Sequence, residues 1–536
     1  MTREKLLVVP ESAVTENDAA TLDGLEQRDG AFADTSFAFA TLWAVLLVAN
    51  IIPIWVVNYF PAQNGPWFLA TVQIFKEINN PELGYAEYYE RSWFPIPHML
   101  FHSGVLLMNL VLPLQVAEKV ALSISVCLLP LSMLYFLSVV APKRRALGLL
   151  SFLMVYSYPF LRGYNNFSLS VPMFFFAFSY WLKHRDAGHP RKYVTLAVLS
   201  VLLYLSHLIG FLLLSCTIGW YQLRKGTGWL GATRSALAAT VCGWPLVIAF
   251  LTLNSQSSEW ISQADTKWQP IHWTVQYFVE RYFMTVSTSA FVVIVAAWLW
   301  IPGSLAVAGL KNSNGLWDWC RRMALSPLGS LALVLLVSFQ LLPDHIIGWH
   351  KFNQRLIPFI LVILVGVTAT ALTDDIYGRI RRAFVATVTM AALVVPLLIG
   401  RQLVAMDGLL QQYTAAVDKV APRSRMLPIL VDNPKFGLIR PLTRAHEYYL
   451  IARGGANGGG IGTMNTLSIV WYRHYPVRDT FPKYHDEMSD LEFAEMLKSY
   501  DYVLIWGDEQ LIDDRLRQTE FHALHNEGPL RLYGRS

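Results

Sequence analysis

Apolar runs of roughly 17–25 residues, the length that crosses a hydrocarbon core as a helix, recur from Thr35 to about Arg401. Short basic stretches separate them. Backbone groups find no water in lipid, so these runs must be helices. The pattern predicts eleven crossings, at about 35–57, 115–141, 146–162, 167–183, 193–208, 209–222, 235–253, 284–302, 326–343, 355–373 and 383–400. A twelfth apolar stretch, about 96–113, is short, begins among Pro95 and Pro97, and carries His98 and His102. It reads as a segment that dips into the membrane without crossing. Beyond Arg401 the apolar density falls and strand-like runs appear at Met426–Val431, Leu467–Tyr472 and Tyr502–Trp506. Helix-like stretches, Leu403–Val420 and Asp490–Ser499, separate them, the alternation of a small α/β unit. The expected fold is a polytopic α-helical membrane protein of about 11 transmembrane helices with a small C-terminal α/β soluble domain. Its parts are a flexible cytoplasmic N-terminus (1–34), a transmembrane domain (35–401) with a long outer loop (58–102), and a non-cytoplasmic domain (402–536).

Composition supports that class: 54% of the 536 residues are hydrophobic and 15% charged, which excludes an ordinary soluble chain. The net charge of +5 reports topology and not nucleic acid, because the cations cluster in short loops. These clusters are Lys143–Arg145, Lys183–Lys192, Arg224 to Arg234, Arg321–Arg322 and Arg379–Arg382. The positive-inside tendency assigns all five to the cytoplasm, an even number of crossings apart. The N-terminus is then inside and the C-terminal domain outside. The first 34 residues lack the pattern of a cleaved signal, so the first span is expected to stay as an anchor. Cys127, Cys216, Cys242 and Cys320 lie in or beside apolar spans and form no CxxC pair, which argues against structural disulfides and a zinc site.

The chemistry gathers on the outer side. Asn58–His102 is too polar to cross a bilayer and rich in Tyr, Trp and Phe, which suit the membrane–water boundary. It holds Glu77, Glu82, Glu87 and Glu90 at the bilayer lip, where an enzyme working between a lipid-borne substrate and water needs its acids. Asp344–Arg355 gathers His350, Lys351 and Arg355 before a span. A guanidinium fork and an ammonium suit phosphate oxygens, and interfacial snorkelling is the plainer alternative. Arg162 with Asn165–Asn166 forms a second polar cluster on that side. His207, in LLYLSHLIGF, is an ionisable group inside the membrane region, functional by default or else a neutral imidazole bonded between helices. Gly454–Gly462 (GGANGGGIG) lacks the Gly-Lys-Ser/Thr of a phosphate loop and reads as a flexible or site-covering loop. Asn166-Phe167-Ser168 is a coincidental glycosylation sequon.

These segments, in this order, resemble the GT-C superfamily of integral membrane glycosyltransferases, in a little-characterised bacterial branch. The resemblance rests on QNGPWFLATVQIF, VAEKVALSISVCLLPLSMLYF, RGYNNFSLSVPMFFFAFSYWLKHR, LSHLIGF, LLPDHIIGWHKFNQRLIPF, RAHEYYLIARGG and YDYVLIWG. It implies a sugar taken from a polyprenyl-phosphate donor and passed to a glycan, lipid or protein acceptor at the outer face of the bacterial cytoplasmic (inner) membrane. A carboxylate of the first outer loop would be the general base or help hold a divalent metal, and no other cofactor is implied. By position, Glu87, Glu90 and Glu77 are the catalytic candidates. Asn64, His98, His102, Arg162, Asn166, His207, His350, Lys351 and Arg355 would line the substrate site, Lys351 and Arg355 holding phosphate. One departure matters. Relatives tend to read Asp-Gly-Pro, followed shortly by His, where this chain has Asn64-Gly65-Pro66-Trp67-Phe68, and an amide cannot take a proton.

Either Glu87 or Glu90 replaces that acid, or the chain is a non-catalytic protein of the same fold that binds lipid-phosphate or glycan and supports another envelope enzyme. A secondary transporter is disfavoured, since repeated halves and midplane polar helices are not seen in the sequence.

Overall fold

A computed structural model of the chain describes residues 37–254, 266–311, 315–346, 349–458, 469–473, 489–508 and 510–535. The expected flexible segment 1–34, part of the 254–283 loop that joins the expected spans 235–253 and 284–302, and Gly459–Gly462 lie outside the described residues. Each of the eleven expected crossings falls on helical chain. Five helices are long and apolar enough to cross alone: Phe37–Trp55, Leu114–Val140, Thr288–Leu310, Asn353–Ala371 and Asp374–Lys419. Two helix pairs bent by 82°, Gly228–Thr240 with Trp244–Leu253 and Leu316–Leu325 with Pro327–Leu341, are long and apolar enough to cross only if each pair is counted as one span. The 146–162 segment departs most from expectation. It begins as a 3-10 helix, Pro142–Leu153, and ends in a single turn, Tyr158–Leu161. Its residues 146–153 are all buried against neighbouring helices, so tertiary packing and not a regular helical face holds it.

The 96–113 segment forms only the nine-residue helix Leu100–Met108. That is about 14 Å at 1.5 Å per residue, too short to cross. Prolines delay its start, and His98 adopts φ 88°, in the left-handed region that side chains other than glycine rarely occupy.

The last span is longer than the pattern predicts. Asp374–Tyr413 is one helix of 40 residues, about 60 Å long and twice the hydrocarbon thickness. The buried face continues through Leu403, Met406, Asp407, Leu410 and Tyr413, so nothing breaks the helix at Arg401. Thr373 caps its start, and Lys143 and Arg144 pair with Asp374 at 3.0 and 2.7 Å. The far end carries the C-terminal domain.

That domain is a five-stranded sheet in the order Ala456–Asn457, Arg425–Leu430, Tyr502–Trp506, Leu530–Arg535, Phe521–Glu527. The first three strands are parallel neighbours and the last two antiparallel. Period-two alternation divides its side chains. Leu427, Ile429, Val503 and Ile505 pack under the helices Asp490–Leu497 and Gln510–Arg517. Met426, Leu504 and Trp506 face the membrane domain's core, with Trp506 5.6 Å from the Tyr413 ring. The expected strand at 467–472 appears as Val470–Tyr472, but it leaves the central sheet and pairs with Tyr89–Arg91 of the outer loop.

Candidate functional site

Asn166 organises the first half of the site. It is the second residue of the helix Asn165–His184 and is buried. Its Oδ1 accepts from the Phe101 N–H at 2.7 Å, its amide donates to the His98 carbonyl, and its own carbonyl accepts from Ser206 Oγ at 2.7 Å. The sequon reading is thereby accounted for, because this side chain is a strut inside the fold. The N–H groups of His98 and Met99 both donate to the Leu205 carbonyl, which stabilises the unusual turn at His98. His102 Nδ1 lies 2.9 Å from the His98 carbonyl, and its ring meets Phe68 at 4.8 Å. The His98 ring lies edge-on to His207 at 4.3 Å.

His207 sits in the break between the helices Arg191–Ser206 and Leu208–Arg224 and caps the second by accepting from the Ile209 N–H at 3.1 Å. That acceptor role places the proton of a neutral ring on Nε2, the atom in contact with the Arg355 guanidinium. Arg355 also lies 5.6 Å from the ring centres of Tyr164 and Phe167, distances at which a cation is attracted to a π-face.

The second half is cationic. Lys351 takes φ 57°, another left-handed residue, and its Nζ donates to Tyr158 Oη at 2.8 Å while lying 4.4 Å from that ring's centre. Burial brings its pKa down from 10.5 to about 8; Tyr164 and Asp344 oppose that shift, and the nearby Arg281 and Arg162 add to it. Among the described residues neither Lys351 nor Arg162 has a carboxylate ion-pair partner, and Arg162 Nε is buried without a hydrogen bond. Gathered cations lacking acids are costly unless an anion completes them. Residues 345–346 and 349–350 form a hairpin beside Thr266–Lys267, which fixes the backbone of His350; its side chain lies outside the description. Arg281 and Tyr158 escaped sequence reading. Arg281's only signal was a cation at the end of the aromatic-rich 254–283 loop.

Asn64 lies against Arg162. The N–H groups of Gln63 and Asn64 donate to the carbonyls of Leu161 and Arg162, each at 3.1 Å. The approach needs Gly163: it has φ 84°, and a Cβ there would come within 3.0–3.2 Å of the Gly65 and Asn64 backbone. On the other side of the same turn stands Glu118, unremarked in the sequence because it sits in an apolar helix start. It is 3% exposed and has no hydrogen-bond or ion-pair partner among the described residues. One carboxylate oxygen comes within 3.5 Å of where a Gly65 Cβ would stand, and the carboxylate acts electrostatically on Tyr448 of the C-terminal domain.

The three carboxylates singled out from sequence meet other partners. Glu87 pairs with Arg423, both half-exposed. Glu90 accepts from Arg473 Nε at 2.9 Å and Trp471 Nε1 at 3.1 Å. Glu77 lies 3.6 Å from Lys76 and 3.4 Å from Asn80 Nδ2. Glu87 and Glu90 thus tie the outer loop to the C-terminal domain through Arg423, Arg473 and Trp471. The start of the glycine-rich run serves the same junction: Gly455 N–H donates to the Leu83 carbonyl at 2.8 Å, and a Cβ on Gly454 would lie 2.1 Å from that oxygen. Among the described residues no three His, Cys, Asp or Glu side chains converge to hold a metal ion.

No protein-family model matches the chain, and a comparison with curated proteins finds no match. Solved structures do match. The crystal structure of ArnT from Cupriavidus metallidurans bound to undecaprenyl phosphate superposes with a TM-score of 0.58 at 11% identity, covering 93% of this chain and 98% of that one. The apo form of the same protein gives 0.56 at 12% identity, covering 92% and 97%. At such identity the likeness is one of fold, and it extends over nearly the whole of both chains. The chain therefore shares the fold of that protein over nearly its whole length.

Proposed function

We propose that this chain is a glycosyltransferase of the bacterial inner membrane that takes a sugar from a polyprenyl-phosphate donor and passes it to an acceptor at the outer face, beneath the C-terminal domain. The observation that carries this reading is the gathering of Arg162, Arg281 and Lys351 around Tyr158, with Arg162 and Lys351 lacking a carboxylate ion-pair partner among the described residues. The structural neighbour with undecaprenyl phosphate bound supports a lipid phosphate as the missing anion. In the reaction the acceptor hydroxyl loses its proton to a carboxylate as its oxygen bonds the sugar carbon. The bond from that carbon to the phosphate breaks, and the cations take up the developing charge on the leaving oxygen.

Glu118 fits the base best. It is buried, has no hydrogen-bond or ion-pair partner among the described residues, and lies across the Asn64–Gly65 turn from Arg162, whereas Glu87 and Glu90 already hold cations at an interface. A second reading is favoured by one residue. Asn64 stands in the turn between Glu118 and the cations, and an amide there suits a protein that binds the lipid without turning it over.

Reconstitution in liposomes with radiolabelled polyprenyl-phosphate sugars and a crude envelope acceptor fraction separates the two. Loss of lipid-linked label is expected, and Glu118→Gln should slow it by about 10²–10⁴-fold, the usual contribution of a positioned base, with lipid binding intact. If Glu87→Gln or Glu90→Gln has that effect instead, the base lies in the outer loop. Saturable binding with no turnover by the wild type would establish the non-catalytic reading.

A further inference from the structure

At the other end of the bundle two neighbouring cavities share part of their lining. The helix Asn165–His184 is 20 residues long, about 30 Å, so its last turn lies a bilayer core away from Asn166 and the cation cluster. There a cavity of about 300 Å3 is lined by Trp181, His184, Arg185, Lys192, Tyr193 and Arg234. It adjoins an open groove of about 790 Å3 between the helices Arg191–Ser206 and Gly228–Thr240, whose walls are mostly apolar, among them Val194, Ala197, Leu237 and Val241. Tyr193, Arg234 and Ala238 line both.

The polar compartment has an excess of cations. Arg185 pairs with Asp186 at 3.1 Å and donates to Tyr221 Oη at 3.1 Å. Lys192, also in the lining, donates to the carbonyls of Arg185 and Ala187, which holds its ammonium beside Arg185. Arg234 has no hydrogen-bond or ion-pair partner among the described residues, although it stands on a helix of otherwise small and apolar residues, at the junction of the two compartments. Topology alone explains basic residues in this loop. It does not explain why they line a cavity walled by Trp181 and Tyr193 that adjoins a mostly apolar groove.

We propose that this is a binding site for an anionic phospholipid of the leaflet opposite the transfer site, its phosphate among Arg185, Lys192 and Arg234 and one acyl chain in the groove. Charge complementarity selects the headgroup, and the apolar walls select a lipid over a soluble phosphate. The basic loops assign this end to the cytoplasm, whose leaflet is rich in such lipids. The proposal is independent of transferase activity.

Delipidated full-length protein in neutral detergent is titrated with dioleoylphosphatidylglycerol, dioleoylphosphatidylcholine and glycerol 1-phosphate, and retained ligand is counted by native mass spectrometry. One phosphatidylglycerol should bind saturably and in preference to phosphatidylcholine. Arg234→Gln should weaken it by about tenfold or more, as loss of a charge-assisted hydrogen bond does. Ala238→Phe, which narrows the groove and leaves every charge in place, should weaken it as well. Both positions are exposed, and unchanged thermal unfolding of each variant establishes that the fold survives. Equal binding of phosphatidylcholine, or binding indifferent to both substitutions, overturns the proposal. Glycerol 1-phosphate binding as tightly as the lipid overturns the acyl-chain assignment and leaves a small-anion pocket.

Discussion

The charge state of Lys351 should be legible in the affinity of the site for a phosphodiester. With its pKa brought down to about 8, the lysine is charged at pH 7 and mostly neutral at pH 9. A bound phosphodiester, whose single charge does not titrate in this range, favours the ammonium and raises its pKa in the complex. Affinity is therefore highest below the free-site value and falls as pH rises through it. Between pH 7 and pH 9 the charged fraction drops from about nine-tenths to about one-tenth, so binding should weaken by about tenfold. Lys351→Met removes a hydrogen bond to a charged group, worth about 1.5–3 kcal/mol. At pH 7 it should bind roughly 10–150-fold more weakly, with no step between pH 7 and pH 9.

Stability runs the other way. The folded pKa lies below the ordinary lysine value, so the folded chain binds fewer protons than the unfolded one between about 8 and 10.5. This group's contribution to stability thus grows across that window. A loss of binding above pH 8 is then not an unfolding effect of this lysine. The assay is equilibrium retention of a radiolabelled polyprenyl phosphodiester by protein in nanodiscs, at fixed ionic strength. A wild-type affinity that stays flat from pH 7 to pH 9, or a Lys351→Met variant that keeps the step, would refute the assignment.

Two further substitutions probe how the turn at Asn64 is held. Gly163→Ala forces a side chain into the left-handed region, at about 1–2 kcal/mol, and drives its Cβ against the Asn64 backbone. A lower thermal midpoint and weaker lipid-phosphate binding should appear together, and an unchanged midpoint would show that the contact is slack. Asp407, buried in the long helix, accepts from the N–H groups of Asn58 and Tyr59 at 2.8 Å each and from Gln411 at 2.9 Å. Asp407→Ala orphans those donors and should cost about 2–4 kcal/mol, while Asp407→Asn, which keeps one acceptor oxygen, should cost about half. Denaturation in detergent measures both, and equal losses would place the effect in packing instead.

The sequence by itself determined the class of the molecule, because hydrocarbon imposes one solution. A chain with no water for its backbone must be helical wherever it is apolar for long enough, and ten of the eleven expected segments fall largely on α-helix, the exception being 146–162 with its 3-10 stretch. The strands Met426–Val431 and Tyr502–Trp506 were legible for a similar local reason, as β-rich runs bounded by polar turns. Part of the site was legible too, since Lys351, Arg355, His207 and Asn166 are polar groups where polarity is expensive. What periodicity could not decide was who meets whom. Glu118 reads as one acid at the head of an apolar helix, and only the packing of Gly65 and Tyr448 against it leaves it buried and alone. Glu87 and Glu90 read as free acids at the membrane lip, and only the docking of Arg423 and Arg473 engages them. The left-handed turns at His98 and Lys351 are likewise invisible in a pattern of hydrophobicity, for they are held by hydrogen bonds to residues distant in the chain. Local sequence sets where a chain is helical or extended. Burial and pairing, which decide what a side chain can do, belong to contacts that exist only once the fold has closed.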